Sequence, residues 1–315
     1  MAEQTDLVTA SELASELAAA RSRGDQVTIV DVLPAEHHAA CRLDGALNAC
    51  VYEVAFAARI SELVGDRDAD VVVYGAGGGS REAQAAIEKL RRLGYRRLRE
   101  LEGGLQAWHA AGQPVVGDTA VRPQPVAPPE LVDGAWVVDP ARSRLHWTGR
   151  NANGGHDGTL DFTGGAVSIA AGAVQGRSTL DPGSLRNLDL DGNPAQAALV
   201  AHLLSDDFLF AERYPTVTFT LVKAAPIPGA TITTPTHRLE GELELRGIRA
   251  PLAFEASITA PAGANGDLVV SAVLDLDRTV WGIGYGSARF FAHLGMHAVF
   301  DRVGLSLRVH LVARG

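Results

Sequence analysis

The hydrophobic period of this chain switches across a proline-rich stretch, and that switch limits the possible folds more than any single motif. After the stretch, apolar and polar residues alternate strictly. RLEGELELRG sets Leu239, Leu243 and Leu245 against Glu240, Glu242 and Glu244; PLAFEASITA aligns Leu252, Phe254, Ala256 and Ile258. RVGLSLRVHLV aligns Val303, Leu305, Leu307, Val309 and Leu311. A period of two over several segments separated by Gly, Pro and Asp turns predicts an antiparallel sandwich or barrel. One helical pattern, NPAQAALVAHLLSDDF, interrupts it. Before the stretch, continuous apolar runs (VTIVDV, DVVVYG) alternate with helical patterns (ASELASELAAARSRG, SREAQAAIEKLRRLG), as in an α/β unit with a parallel sheet. Ala83, Ile87 and Leu90 share one face of the second helix, and Gly94 is placed to end it. The stretch between, GDTAVRPQPVAPPE, carries Pro123, Pro125, Pro128 and Pro129 and reads as a semi-rigid spacer. The expected organisation is an α/β domain over 1–117, a linker over 118–134 and a β domain over 135–315.

Composition narrows the function. A formal charge of −9 over 315 residues, with no basic arm, argues against nucleic acid or an anionic membrane surface as main partner. No apolar run reaches the roughly 20 residues of a membrane helix, and the N-terminal MAEQTDLVTASELASELAAARSRGD lacks the pattern of a secretory signal, so the expected location is the cytoplasm. Cys41 and Cys50 fit neither a disulfide framework nor a CxxC pair and read as free thiols. No internal repeat points to a solenoid.

The segment VVVYGAGGGSREAQAA, Val71 to Ala86, places a glycine-rich turn between an apolar run and a helix. Taken alone it comes close to a dinucleotide fingerprint, with Glu100 at a plausible distance for a ribose. Its surroundings fit another family. IVDVLPAEHHAACRLDGALNA, through Asp31, Glu36, Gly45 and Ala46, and LEGGLQAWHAAGQPV, through Gly103, Gly104, Trp108, Gly112 and Pro114, flank it in the order found in rhodanese-like domains, which residues 7–115 resemble. The resemblance implies a sulfur-carrying cysteine directly after the strand. Here that position is Gly75, the loop arginine is displaced to Arg81 beside Ser80, and Leu33 stands where an arginine commonly follows the first motif. Sulfurtransferase activity by the usual route is therefore not expected. What the loop retains, Gly75, Ala76, Gly77, Gly78, Gly79 and Ser80, is a cradle of amides suited to an anion; the other reading is a degenerate module kept for docking or dimerisation.

From Trp136 onward the chain resembles the YceI-like family of lipocalin-like barrels that bind polyisoprenoid lipids. The resemblance rests on WVVDPARSRLHWTGR, GGHDGTLDFTGGAV, LVAHLLSDDFLFAERYPTVTF, LEGELELRGIRAPLAF and LDRTVWGIGYGSARFFAHLG. It implies a long apolar ligand, isoprenoid or quinone-type. The candidate lining is Trp147, Phe162, Phe208, Phe219, Trp281, Tyr285, Phe290 and Phe291, with His156, His202 and Tyr285 as polar groups for the ligand head. The same inward residues would fill a closed core if there were no cavity. His156, His202, His293 and His297 form a second candidate set, for a metal or haem at the barrel mouth, which would make the protein an enzyme. Asp207 reads as a turn cap, and Asp277 as the partner of a nearby arginine; neither forms a general acid–base pair, and no catalytic residue is assigned. A third reading, sulfur handling, would need a persulfide on Cys41 or Cys50.

Overall fold

The apolar runs of the first part of the chain form a parallel sheet, as their continuous Val and Ile character requires. The protein is described from a computed structural model, over residues 6–24, 27–117, 130–260 and 266–314. Two compact units, 1–125 and 126–315, divide the chain. Most of the proline-rich spacer, residues 118–129, lies outside the described residues.

The first unit runs β1 (Asp6–Val8), α1 (Ala10–Arg23), β2 (Thr28–Asp31), α2 (Ala35–Ala40), β3 (Cys41–Leu43), β4 (Leu47–Asn48), α3 (Phe56–Leu63), β5 (Asp70–Tyr74), α4 (Glu82–Arg92), β6 (Arg97–Leu101), α5 (Gly104–Ala110) and β7 (Val115–Gly117). The five-stranded parallel sheet has the order β1-β6-β5-β2-β4, and β3 pairs with β7 apart from it. One side of the sheet carries α3 and α4, whose Phe56, Ile60, Ala83, Ile87 and Leu90 are buried. Thr9 and Glu12 close a capping box at the start of α1. Gly94 has φ +91° and stops the chain just after α4, as the sequence leads one to expect. At the end of β2, Asp31 is fully buried and accepts from Leu33 N (2.9 Å) and the Tyr74 hydroxyl (2.8 Å), and it pairs with His38 Nδ1 (2.9 Å). Burial pushes its carboxyl above the usual range despite these bonds.

The second unit runs β8 (Gly134–Val138), β9 (Arg144–Asn151), β10 (Gly154–Ala170), β11 (Ala173–Asn187), α6 (Ala195–Leu204), β12 (Val217–Pro226), β13 (His237–Leu245), β14 (Ile248–Thr259), β15 (Leu268–Asp277) and β16 (Arg302–Ala313). All pairings are antiparallel, and the ring closes through β10–β11 and β16–β9. The short β8 pairs with β16 at Leu311–Ala313 and with β10 at Ala166–Ile169, continuing the place that β9 holds further along the same two strands. The ring thus has eight strand positions among the described residues. The inserted helix is α6, where the sequence pattern puts it. Leu239, Leu243 and Leu245 are buried inside, with their glutamate neighbours turned outward, so the alternation sets the register of the wall.

Candidate functional site

An eight-position barrel leaves an interior just wide enough for packed side chains or one slender ligand. In this chain the interior is hollow. Leu305, Leu307 and Val309 of β16 point inward yet are only partly buried, because they face a cavity of about 560 Å³. Its wall is apolar along most of its length, with Leu145, Leu160, Leu180, Leu221, Leu274 and Phe254 contributed by six further strands. The inward row from Val303 to Leu311 covers about 26 Å along the strand, or roughly 20 Å along the barrel axis at a tilt of ~40°.

Apart from Arg177 and Ser178 of β11, the polar lining collects at one end, where the β9–β10 turn, α6 and the segment 278–300 meet. Val299 bridges Asn151, Phe300 N donates to Arg150 O (2.9 Å), and Asn153 Nδ2 donates to Met296 O (3.2 Å), which ties that segment to the turn. His156 Nδ1 pairs with Asp189 at 2.8 Å. Burial opposes ionisation of Asp189, but hydrogen bonds from Asp157 N, His156 and Asn187 outweigh it and lower its carboxyl to about 2. His202 Nε2 pairs with Asp207 at 3.0 Å, and its ring stands edge-on to Phe208 (5.1 Å) and Tyr285 (4.7 Å). Arg278 is 2% exposed and gives its guanidinium to the carbonyls of Ile283, Val299 and Phe300 at 2.8–3.0 Å, which pins the segment over the cavity.

Of the residues expected from sequence, Trp147, His156, Phe162, His202, Phe208, Phe219, Tyr285 and His297 line this cavity. Four do not. Trp281 sits in a 3-10 turn, 2% exposed, donates Nε1 to Leu243 O (2.9 Å) and packs with Leu245 and Ile283 in a cluster of its own. Phe290 and Phe291 lie outside the lining, 60% and 52% exposed. His293, in left-handed backbone with φ +61°, is also outside it. Among the described residues no three His, Cys, Asp or Glu side chains are placed to hold one metal ion, so the four histidines do not gather as a metal set. The Asp207 carboxylate pairs with His202 instead of capping a turn, the capping oxygen there being Ser205 Oγ, which accepts from Asp207 N (3.3 Å), whereas Asp277 does pair with an arginine, Arg289 (3.0 Å). Asp189 and Arg278 were missed as site residues. Arg278 had a signal, an arginine at the end of an alternating strand; Asp189, 33 positions from His156, had none.

In the first unit, the glycine loop lies between β5 and α4, with Gly77, Gly78 and Gly79 at positive φ. It borders a separate cavity of about 120 Å³. Gly75 and Gly77 to Ser80, expected as an amide cradle for an anion, border this cavity, but Glu82 and Glu100 share the same lining. Two carboxylates repel the anion, or nucleotide phosphate, that the amides alone would attract; Ala76 is not in the lining. Cys41 and Cys50 are both buried and outside any disulfide.

A closed antiparallel barrel around an apolar cavity, with polar groups at one end, defines a small lipocalin-like binding barrel. Residues 136–311, more than half of the sequence, match the YceI-like domain, and the chain belongs to that family. Residues 13–111 match the rhodanese-like domain. Among solved structures the chain is similar to BcnA of Burkholderia cenocepacia (20% identity, 55% of this chain and 98% of that one, TM-score 0.43). It is also similar to a polyisoprenoid binding domain from Saccharophagus degradans (11%, 58% and 100%, TM-score 0.40) and to the rhodanese-like domain of the Anabaena protein Alr3790 (27%, 41% and 92%, TM-score 0.31). A curated relative, the HTH-type transcriptional regulator Rv0324 of Mycobacterium tuberculosis, is 36% identical over 110 residues, 35% of this chain; the chain spans 44% of that relative's length.

Proposed function

We propose that the barrel is a carrier for one long apolar molecule of the isoprenoid or quinone type, with the tail along the β16 row and the head among His156, His202 and Tyr285. The cavity carries this reading: about 560 Å³ of unfilled space behind a wall of leucine, valine and phenylalanine, within the usual range of roughly 300–1,000 Å³ for ligand pockets. Burial of a hydrocarbon tail there is favourable by roughly 0.8 kcal/mol per CH₂. The rhodanese-like unit, with Gly75 in place of the sulfur-carrying cysteine, is in this reading a non-catalytic module for interaction or dimerisation. The whole acts in the cytoplasm; no helix among the described residues is long and apolar enough to cross a membrane. The test is native mass spectrometry of the freshly purified chain against its denatured mass. A mass excess in the range of a polyprenyl lipid, lost on denaturation, is expected; an excess matching a metal ion or haem would overturn the carrier reading.

A further inference from the structure

The small cavity under the glycine loop has the opposite charge chemistry to the one its backbone suggests, and it is independent of the barrel. Glu82, at the start of α4, is 8% exposed, and its Oε2 is buried with no hydrogen-bond partner. A Cβ on residue 75 would stand 2.9 Å from that oxygen and 3.0 Å from the Glu82 Cβ. The missing side chain at Gly75 is therefore what leaves room for the carboxylate. Glu100 of β6, in the same lining, accepts from Gln84 Nε2 at 3.1 Å, and burial pushes its carboxyl upward. Tyr52 is 66% exposed; partial burial of its hydroxyl, and then the charge of the Glu82 carboxylate and a hydrogen-bonding contact with it, push that hydroxyl up to about 12, so Tyr52 is a neutral neighbour of Glu82 and supplies no positive charge.

Among the described residues no Lys, Arg or His pairs with Glu82 or Glu100, although ion pairs are made elsewhere on the same sheet, as between Arg99 and both Glu16 and Asp70. A buried carboxylate oxygen left without a donor, as Glu82 Oε2 is, is unfavourable unless a proton or a cation completes it. A metal is not favoured, since the described residues offer no third ligand of the usual kind. Planar, multiply donating nitrogen groups bridge two carboxylates well.

We propose that the cavity lined by Gly75, Gly77, Glu82, Gln84 and Glu100 is a binding site for a guanidinium or primary ammonium group, held between the Glu82 and Glu100 carboxylates. Such a group arrives either on a free small molecule or on an arginine or lysine side chain of another protein.

The experiment is isothermal titration of the full chain with N-methylguanidinium, with methylammonium, with a short glycine peptide carrying a single arginine, and with magnesium and calcium chloride. The expected result is saturable one-to-one binding of an organic cation that weakens at least about tenfold in Glu82→Gln. Glu100→Gln, on another element, is expected to weaken it as well and keeps the test decisive if the first variant does not fold. Tighter binding of the peptide than of N-methylguanidinium assigns the site to a protein side chain, and equal affinity assigns it to a free small molecule; both support the proposal. No saturable binding of any organic cation, binding unchanged in both variants, or binding of the divalent ions alone would each overturn it.

Discussion

A bulky side chain grown inward from β16 tests whether the barrel's hollow is a binding site. Leu307 lies near the middle of the inward row from Val303 to Leu311 and lines the cavity. In a filled core, an added indole costs roughly 1–3 kcal/mol of stability through strain. At position 307 it grows into about 560 Å³ of open space, so Leu307→Trp is expected to unfold at the same temperature as the natural chain or slightly above it. A ligand threaded past that position loses contact instead. If the indole excludes about four CH₂ groups, the loss is about 3 kcal/mol, on the order of 100-fold in Kd. The assay is titration with a naphthylamine dye that fluoresces in apolar surroundings, then competition with a polyprenyl alcohol. Val273→Trp is the control: Val273 is on the neighbouring strand β15, 80% exposed, and faces outward. Unchanged affinity in Leu307→Trp, or equal weakening in both variants, refutes the placement of the ligand.

Two further predictions concern the charged groups. Asp189 is held at about 2 against its usual 3.8, so its contribution is complete above about pH 4 and disappears as the pH falls from 3.8 toward 2. With solvent screening at a partly exposed site, that contribution is about 1–2 kcal/mol. Asp189→Asn is expected to lower the barrel's unfolding midpoint at neutral pH and to flatten its acid dependence, as read by thermal melts between about pH 4.5 and 2.5; parallel acid curves for the two proteins would contradict this. In the other unit, Gly75→Cys is expected to form no persulfide with thiosulfate. The Glu82 Oε2 lies 2.9 Å from where the new Cβ would stand, and a neighbouring carboxylate raises the thiol pKa and lowers the thiolate fraction. Alkylation by iodoacetamide at neutral pH, slow in Gly75→Cys and faster once Glu82→Ala is added, checks this; fast alkylation of the single variant would refute it.

The period of the sequence was enough to place the walls. Leu239, Leu243 and Leu245 could be assigned inward because a strand has only two faces, and one residue of slip would have turned all three outward. Gly94 could be read as a helix stop because few other residues tolerate its left-handed backbone. Periodicity tells which side is inside, but not whether the inside is filled. Leu305, Leu307 and Val309 look the same in sequence whether they meet another side chain or a void; what decides is how far the inward side chains reach across the closed ring, and here they leave a cavity. Trp281 illustrates the opposite error: an indole close to Tyr285 reads as lining, yet its N–H is spent on the Leu243 carbonyl in a turn capped by Asp277. The His156–Asp189 and His202–Asp207 pairs differ in the same way. The second, five residues apart, is in reach of local reasoning; the first depends on where β10 and the end of β11 come together.

The two units treat buried space differently, and that difference bears on what each can do. In the first, Val30, Val71, Ile60 and Leu90 are 0% exposed and fill the core, and the small cavity is bordered mainly by glycines with Ser80, Glu82, Gln84 and Glu100, beside Ala83 and Leu101. A guest of about 120 Å³ at most fits there, and its polar groups would have to face the carboxylates. In the second, side chains long enough to meet across a filled barrel stop short of one another, and the wall is held by its ladder of antiparallel hydrogen bonds and by Arg278 pinning the segment above. A hollow of this kind forfeits dispersion contacts that a filled core would make. An apolar guest restores them, and a ligand at 100 times its Kd adds about 2.7 kcal/mol to the stability of the state that binds it. A hollow apolar barrel therefore gains stability from a hydrophobic guest that fills it, more than from water, which offers its apolar wall no comparable contacts.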